Sequence, residues 1–295
     1  NSGALEQALN YAPDTDYPIV IANDDYYGGL GGRYAISTRS LISGLIVLRH
    51  ELGHNFGQVG EEYDNGYVYR GANSTTSPDA RNWAHWSNGK VQNYESKLLT
   101  GDYIWRNLSG APYSASFDIP REHSVLTADI SSVGWDTSKD VAIRLDGKDL
   151  PVEGKYHADR SFFRFGPVKG LQSGNHRVDI QERIQDGNNV LGFALFHSYP
   201  EDYDFSPHKI GAFSTFDDNG RKSYRPTHSS CLMRDMTVDN FCVVDQENIW
   251  LQFFNRIALI DDVKLVSNGD KVIATAVTPK LKGLKYSWYK VEWSG

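Results

Sequence analysis

The run Leu48 to Tyr63, LRHELGHNFGQVGEEY, decides how this 295-residue chain is read. On a helix, residues four apart lie one turn above each other on one face, so His50 and His54 present two imidazoles to a single ion. That is the spacing with which two histidines grip zinc. The carboxylate of Glu51, directly after the first histidine, is placed to act as general base on the attacking water. A bare motif of this length arises by chance on the order of once per hundred such chains, so its surroundings matter. Here they agree. Ser40 can cap a helix whose apolar face is Leu41, Ile42, Leu45, Ile46 and Leu48. Gly57 and Gly60 can turn the chain back beyond His54, and Glu61 and Glu62 follow, where a returning chain can offer the ion a carboxylate.

A third histidine six residues after His54 would mark a metzincin. That position is Gly60, so the third ligand comes from elsewhere, with Glu61, Glu62, Asp64 and a downstream histidine as the candidates. An acid left free of the metal can hold a ligand histidine's second nitrogen.

Bulk numbers narrow the function classes. A net charge of −7 argues against nucleic acid or an anionic membrane surface as the main partner. No apolar run approaches the length of a membrane span. The chain starts at Asn1 with no signal segment, as a mature or trimmed product would. Its two cysteines, Cys231 and Cys242, could close one small loop in an oxidising compartment, worth about 3 kcal/mol at most. The other reading is two buried thiols. Asn73-Ser74-Thr75 and Asn107-Leu108-Ser109 are glycosylation sequons, which lean toward a secreted eukaryotic glycoprotein.

Along the chain, residues 4–10 read as the end of a helix and residues 17–23 (YPIVIAN) as a buried strand. Residues 26–32 are a glycine-rich turn with no phosphate-loop signature. They lead into residues 33–37, an expected edge strand able to pair with an extended substrate backbone. Residues 64–113 form a polar wrap that Trp83, Trp86 and Trp105 could anchor. Then alternating runs recur at 125–130, 141–145, 162–165, 176–181 and 190–196, separated by Asp146-Gly147, Ser173-Gly174-Asn175 and Asp186-Gly187-Asn188. This is the pattern of an antiparallel β-sandwich. Residues 247–260 show helical spacing, expected beneath the first helix, and residues 264–295 alternate again.

Three blocks, in order, resemble the IgA-peptidase family of zinc metallo-endopeptidases. They are Asn23-Asp24-Asp25-Tyr26-Tyr27-Gly28-Gly29, the HExxH run ending in Glu62-Tyr63, and Tyr224-Arg225-Pro226 with Cys231-Leu232-Met233 and Phe241-Cys242. The resemblance spans roughly residues 1–110 and 207–260. Where family members carry a further cysteine after Cys242, this chain has Asp245 in that region.

The resemblance implies an α+β fold. A zincin-like catalytic domain would occupy 1–113 and 207–263, with an inserted β-sandwich over 114–206 and a C-terminal β-segment over 264–295. It implies one catalytic zinc held by His50, His54 and Glu62, and Glu51 as the base. Tyr224 is the expected oxyanion donor, with Tyr63, His208, Arg225 and His228 as competitors. Met233 would form a floor beneath the metal. The implied activity is hydrolysis of peptide bonds in an extended protein or peptide substrate by a secreted, fungal-type enzyme. The competing readings are a zinc-containing binding or adhesion protein that uses its β-modules for recognition, and a hydrolase of non-peptide bonds. Glu51 argues against the first, since a purely structural zinc needs no base beside it.

Overall fold

The computed structural model describes residues 2–151, 154–155, 159–280, 282–283 and 285–289. The chain divides into two compact units, 1–249 and 250–295. The fold is mixed and mostly sheet. Among the described residues no sheet closes into a barrel and no helix is long and apolar enough to cross a membrane.

The first unit opens with helix α1 (Ser2–Leu9) and a small sheet of β1 (Ile19–Ala22), β2 (Gly29–Leu30) and β3 (Ala35–Thr38). β3 lies in the middle, parallel to β1 and antiparallel to β2. The edges are therefore β1 and Gly29–Leu30, and the expected edge strand over residues 33–37 falls at the centre. Glycine makes this possible: a Cβ on Gly29 would stand 2.2 Å from the Val47 side chain. β1 was expected to be buried, yet Ile19 and Ile21 are exposed. An apolar run alone cannot report whether one face or both are covered.

Helix α2 (Gly44–Asn55) carries the HExxH motif. Ser40 Oγ accepts from the Ile42 and Ser43 N–H groups at 3.2 and 3.0 Å, so it caps the turn that leads into the helix. The face expected to be buried is not the one that is. Leu41, Ile42 and Leu45 are exposed, while Gly44, Val47, His50, Glu51 and Gly53 face inward. Past the helix the chain turns at Gln58, with φ +51, rather than at a glycine. Gly57 instead permits close packing, since a Cβ there would lie 2.8 Å from Ile249.

A 3-10 turn (Arg81–Ser87) buries Trp83, whose Nε1 donates to Gly211 O at 2.8 Å. β4 (Asn93–Tyr94) then precedes two sheets. One orders β10 (Gly154–Lys155), β11 (Ser161–Val168), β7 (Val125–Val133), β13 (Val190–Tyr199) and β5 (Lys97–Asn107). The other orders β6 (Tyr113–Ile119), β12 (Gly174–Glu182), β8 (Val141–Leu145) and β9 (Lys148–Leu150). They share one core, in which Phe117, Ile143 and Ile180 of the second sheet meet Ile130, Phe165 and Phe196 of the first. This sandwich begins at Lys97, inside the stretch read as a polar wrap. The alternation of β5 is masked because its pairing with β13 shifts register twice. β14 (Ala212–Phe216) and β15 (Lys222–Arg225) complete a third sheet with β4.

A buried ionic cluster bolts the sandwich to the rest of the unit. Asp64, fully buried, accepts from His197 Nε2 of β13 at 2.9 Å, from Arg234 Nη1 at 2.5 Å and from the Phe216 N–H at 2.8 Å. Burial pushes the Asp64 carboxyl up, but Arg234 and His197 outweigh it and hold it well below the usual carboxylate range. Asp64→Ala leaves Arg234 and His197 without that carboxylate. It is expected to destabilise the fold by about 3–5 kcal/mol, read as a lowered urea midpoint.

Helix α3 (Val243–Phe254) starts four residues before the expected position. Val244 and Asp245 are buried, and Asn248 Nδ2 donates to Gly57 O at 2.6 Å, which seats the start of this helix against the end of α2. In the second unit, β16 (Asp262–Asn268) and β17 (Lys271–Val277) form an antiparallel hairpin turned by Gly269, φ +63, and Asp270.

Candidate metal centre

His50 and His54 project from one face of α2, with their Nε2 atoms 3.2 Å apart. Glu61 closes the group: Oε1 lies 2.9 Å from His54 Nε2 and Oε2 lies 3.3 Å from His50 Nε2. Each ring's Nδ1 faces a backbone carbonyl, Leu232 O at 3.3 Å for His50 and Val59 O at 2.8 Å for His54. A carbonyl can only accept, so these partners put the ring proton on Nδ1 and leave Nε2 bare. Two imidazole lone pairs and a carboxylate thus converge in a largely buried space. Among the described residues Glu61 Oε2 has no hydrogen-bond partner beyond that approach to His50. Such a set is unfavourable without a cation, and two imidazole nitrogens with one carboxylate are a zinc donor set. The residues fit a zinc ion. The convergence also shows in the acidities. Burial raises the Glu61 carboxyl, but His50 and His54 outweigh it and bring it down to about 2. Burial lowers His54, and Glu61 reverses that and leaves it raised.

Glu51 shares the inner face of α2, and burial above all raises its carboxyl from the ordinary value. The glycine-rich stretch is its cradle. A Cβ on Gly29 would come within 2.9 Å of Glu51 Oε1, and one on Gly31 within 2.8 Å of Oε2. Gly31→Ala is expected to displace the Glu51 carboxylate and lower kcat by about 10²-fold with bound metal retained. Turnover and metal content measured on one preparation check this.

The two neighbouring acids point to opposite sides of an extended segment, which separates their roles. Glu62, fully buried, does not join the histidines. Its Oε1 accepts from Asn73 Nδ2 at 3.1 Å, on the side facing Cys231 and Cys242. Asp64 is committed to the ionic cluster. Tyr224 lies in the core near Trp83, and its hydroxyl donates to Glu95 Oε1 at 2.7 Å. Arg225 bonds the Ser214 and His228 carbonyls, and His208 is exposed. Met233 is fully buried against α2, where a Cβ on Gly53 would meet its sulfur at 2.9 Å. Cys231 and Cys242 are free thiols, so the disulfide expectation is corrected. The Asn73 sequon is corrected as well. Its amide is buried and bonded to Gly60 on both sides, Nδ2 to Gly60 O at 2.9 Å and Gly60 N to Oδ1 at 2.7 Å.

A cavity of about 540 Å³ opens beside the histidine pair, lined by His50, Glu51 and Tyr63 and by residues of the sandwich. The Tyr63 ring stacks on His50 with centroids 6.1 Å apart. Arg160 enters from the sandwich. Its guanidinium lies 4.7 to 5.5 Å from the ring centres of Tyr27, Trp105, Phe162 and Phe193, and Nε donates to Ser131 Oγ at 2.6 Å. Among the described residues no carboxylate pairs with it. Asp159, its neighbour, accepts from the Ser40 and Ser43 hydroxyls at the start of α2. Sequence reading missed Arg160, Asp159 and Tyr103, another cavity residue. They reach the site only through tertiary packing, and nothing in their local sequence marks them.

Two solved structures are similar over part of the chain. One is the dimeric latent PorU from Porphyromonas gingivalis, 11% identical, covering 47% of this chain and 14% of that one, with a TM-score of 0.27. The other is the catalytic unit of a thermostable GH87 alpha-1,3-glucanase from Streptomyces thermodiastaticus strain HF3-3. It is 14% identical and covers 36% of this chain and 26% of its own, with a TM-score of 0.21. This chain thus spans well under two thirds of either, and similarities this slight carry no inference about fold or function. No curated protein matches. Residues 3–108 match the family described as IgA Peptidase M64, a stretch that includes His50, Glu51, His54, Glu61 and the glycine cradle, and this match supports a peptidase.

Proposed function

We propose that the chain is a secreted zinc endopeptidase of the zincin type, with His50, His54 and Glu61 as the metal ligands. The observation that carries this reading is the convergence of the His50 and His54 Nε2 atoms and the Glu61 carboxylate beside a buried glutamate. When bound there, zinc supplies Lewis acidity, making water more acidic and a carbonyl more electrophilic.

The protein's own groups do the rest. Glu51, held between Gly29 and Gly31, takes a proton from the attacking water and returns it to the leaving amine; its pKa, raised by burial, suits both transfers. The outer side of Gly29–Leu30 has no strand partner among the described residues, so an extended peptide can add there as a further strand and enter the cavity beside His50. Arg160 offers positive charge to an anionic or carbonyl group of that peptide. Tyr63, whose ring lies against His50 in the cavity wall that Tyr27 and Tyr103 also line, replaces Tyr224 as the proposed donor to a developing oxyanion.

The tyrosine assignment has a paired test. Tyr63→Phe should lower kcat about 10²-fold with KM little changed, and Tyr224→Phe should leave turnover within about twofold. The opposite pattern would move the oxyanion donor back to Tyr224. The reading as a whole is tested by incubating the chain with a denatured protein mixture, with and without a zinc chelator. Cleavage abolished by the chelator and restored by zinc is expected; cleavage indifferent to both would exclude it.

A further inference from the structure

We propose that Glu62, Cys231, Cys242 and Asp245 form a second metal site, a closed and structural one that takes zinc, behind the first. All four side chains are buried, three of them completely and Cys242 at 5% exposure. One ligand atom from each lies within 4.8 Å of every other. Their present bonding leaves acceptors over. Asp245 Oδ2 accepts from the Cys231 thiol at 2.9 Å, while Asp245 Oδ1 has no partner. Glu62 Oε1 is used by Asn73, while Glu62 Oε2 has no partner. Cys231 Sγ also accepts from the Cys242 N–H at 3.2 Å.

The nearby guanidiniums do not fill this need. Arg234 donates to Glu62 O, Asp64 and Asp129, and Arg225 to two backbone carbonyls. Among the described residues, two carboxylates and two thiols therefore share an enclosed space with no cationic side chain bonded to any of them. Buried negative charge of this density requires a cation or retained protons. Two thiolates and two carboxylates are four donors of the kind zinc accepts, with no position left for substrate.

The location gives such a site a purpose. Glu62 follows Glu61, the acid beside the two histidines. Cys231 precedes Leu232, whose carbonyl faces His50 Nδ1 at 3.3 Å. Cys242 directly precedes α3 and Asp245 lies in its first turn. One ion would tie together the segments that set Glu61 and orient His50, so this site is an outer support for the catalytic one. It is nevertheless distinct in chemistry, because the histidine site contains no sulfur.

That difference makes it testable on the unaltered chain. The cobalt-substituted protein should show thiolate-to-metal charge-transfer absorption in the near ultraviolet, and the zinc protein should contain two ions per chain. The His50→Ala/His54→Ala double variant should keep one ion and the cobalt band. Cys242→Ser should keep one ion and lose the band. Wild-type cobalt protein without the band would overturn the proposal whatever the variants do. So would an intact mass two hydrogens short, which indicates a Cys231–Cys242 disulfide. Loss of the histidine site with the band intact would count against the endopeptidase reading and leave this one standing.

Discussion

Glu51→Gln is expected to lower turnover by about 10²–10⁴-fold while the zinc content stays that of the wild type. The side chain is nearly isosteric, so the fit between Gly29 and Gly31 is preserved. What is lost is the ability to accept a proton. Glu51 is not among the three side chains, His50, His54 and Glu61, that could hold an ion, so the metal should remain. Its raised carboxyl reflects burial first, which outweighs the opposing charges of His50 and His54. The change should appear in kcat with KM little altered, because the base acts on the reacting water and not on the bound peptide. Metal content and progress curves on the same sample check it. If turnover survives, the base lies elsewhere.

Glu61→Ala is expected to abolish stable metal binding at the histidine pair and, with it, turnover. Loss of an outer contact to a ligand typically weakens metal affinity by about 10–100-fold, and loss of a ligand should exceed that. Glu61 is 2.9 Å from one ring nitrogen and 3.3 Å from the other, and one of its oxygens is otherwise unpartnered. The comparison with Glu62→Ala is the informative part. If Glu62 were the ligand at the histidine site, its loss alone would empty that site. In the present arrangement Glu62→Ala leaves the histidine pair and Glu61 in place and removes a donor from the cysteine cluster. Dialysis against a weak chelator followed by metal analysis separates the two.

What the sequence conveyed follows the range of the interactions involved. The HExxH helix was legible because its chemistry repeats at helical spacing, and the sandwich strands because alternation and turn residues are local signals. Asp146-Gly147 is such a signal, and both residues adopt positive φ in the turn between β8 and β9. The buried face of α2 was misread because hydrophobicity favours Leu41, Ile42 and Leu45, whereas the helix turns its histidines and glutamate inward. The choice between Glu61 and Glu62 was beyond reach. Adjacent residues on an extended segment face opposite ways, and a shift of one residue exchanges them. Tyr224 and the cysteines stood out by family resemblance, and resemblance does not say which partner a hydroxyl or thiol meets. Arg160 comes from a sandwich whose expected role was structural or substrate-positioning, with no residue singled out in it, and only packing brings it to the cavity wall.

The glycines show the same limit from the other side. Gly29 and Gly31 read as a flexible turn, yet each is required by a close approach to α2. Gly57 read as a helix stop, yet the residue with positive φ is Gln58, and Gly57 makes room for Ile249. A glycine's freedom of backbone and its lack of volume look identical in sequence.

The most direct test of the account is to expose an unfolded proteome digest to the wild-type chain and to Glu51→Gln, and to read the new N-termini by mass spectrometry. The account predicts new termini with the wild type and almost none with the variant, both proteins carrying zinc at the histidine site. Equal sets of termini from the two proteins, or none from either with zinc bound, would contradict it.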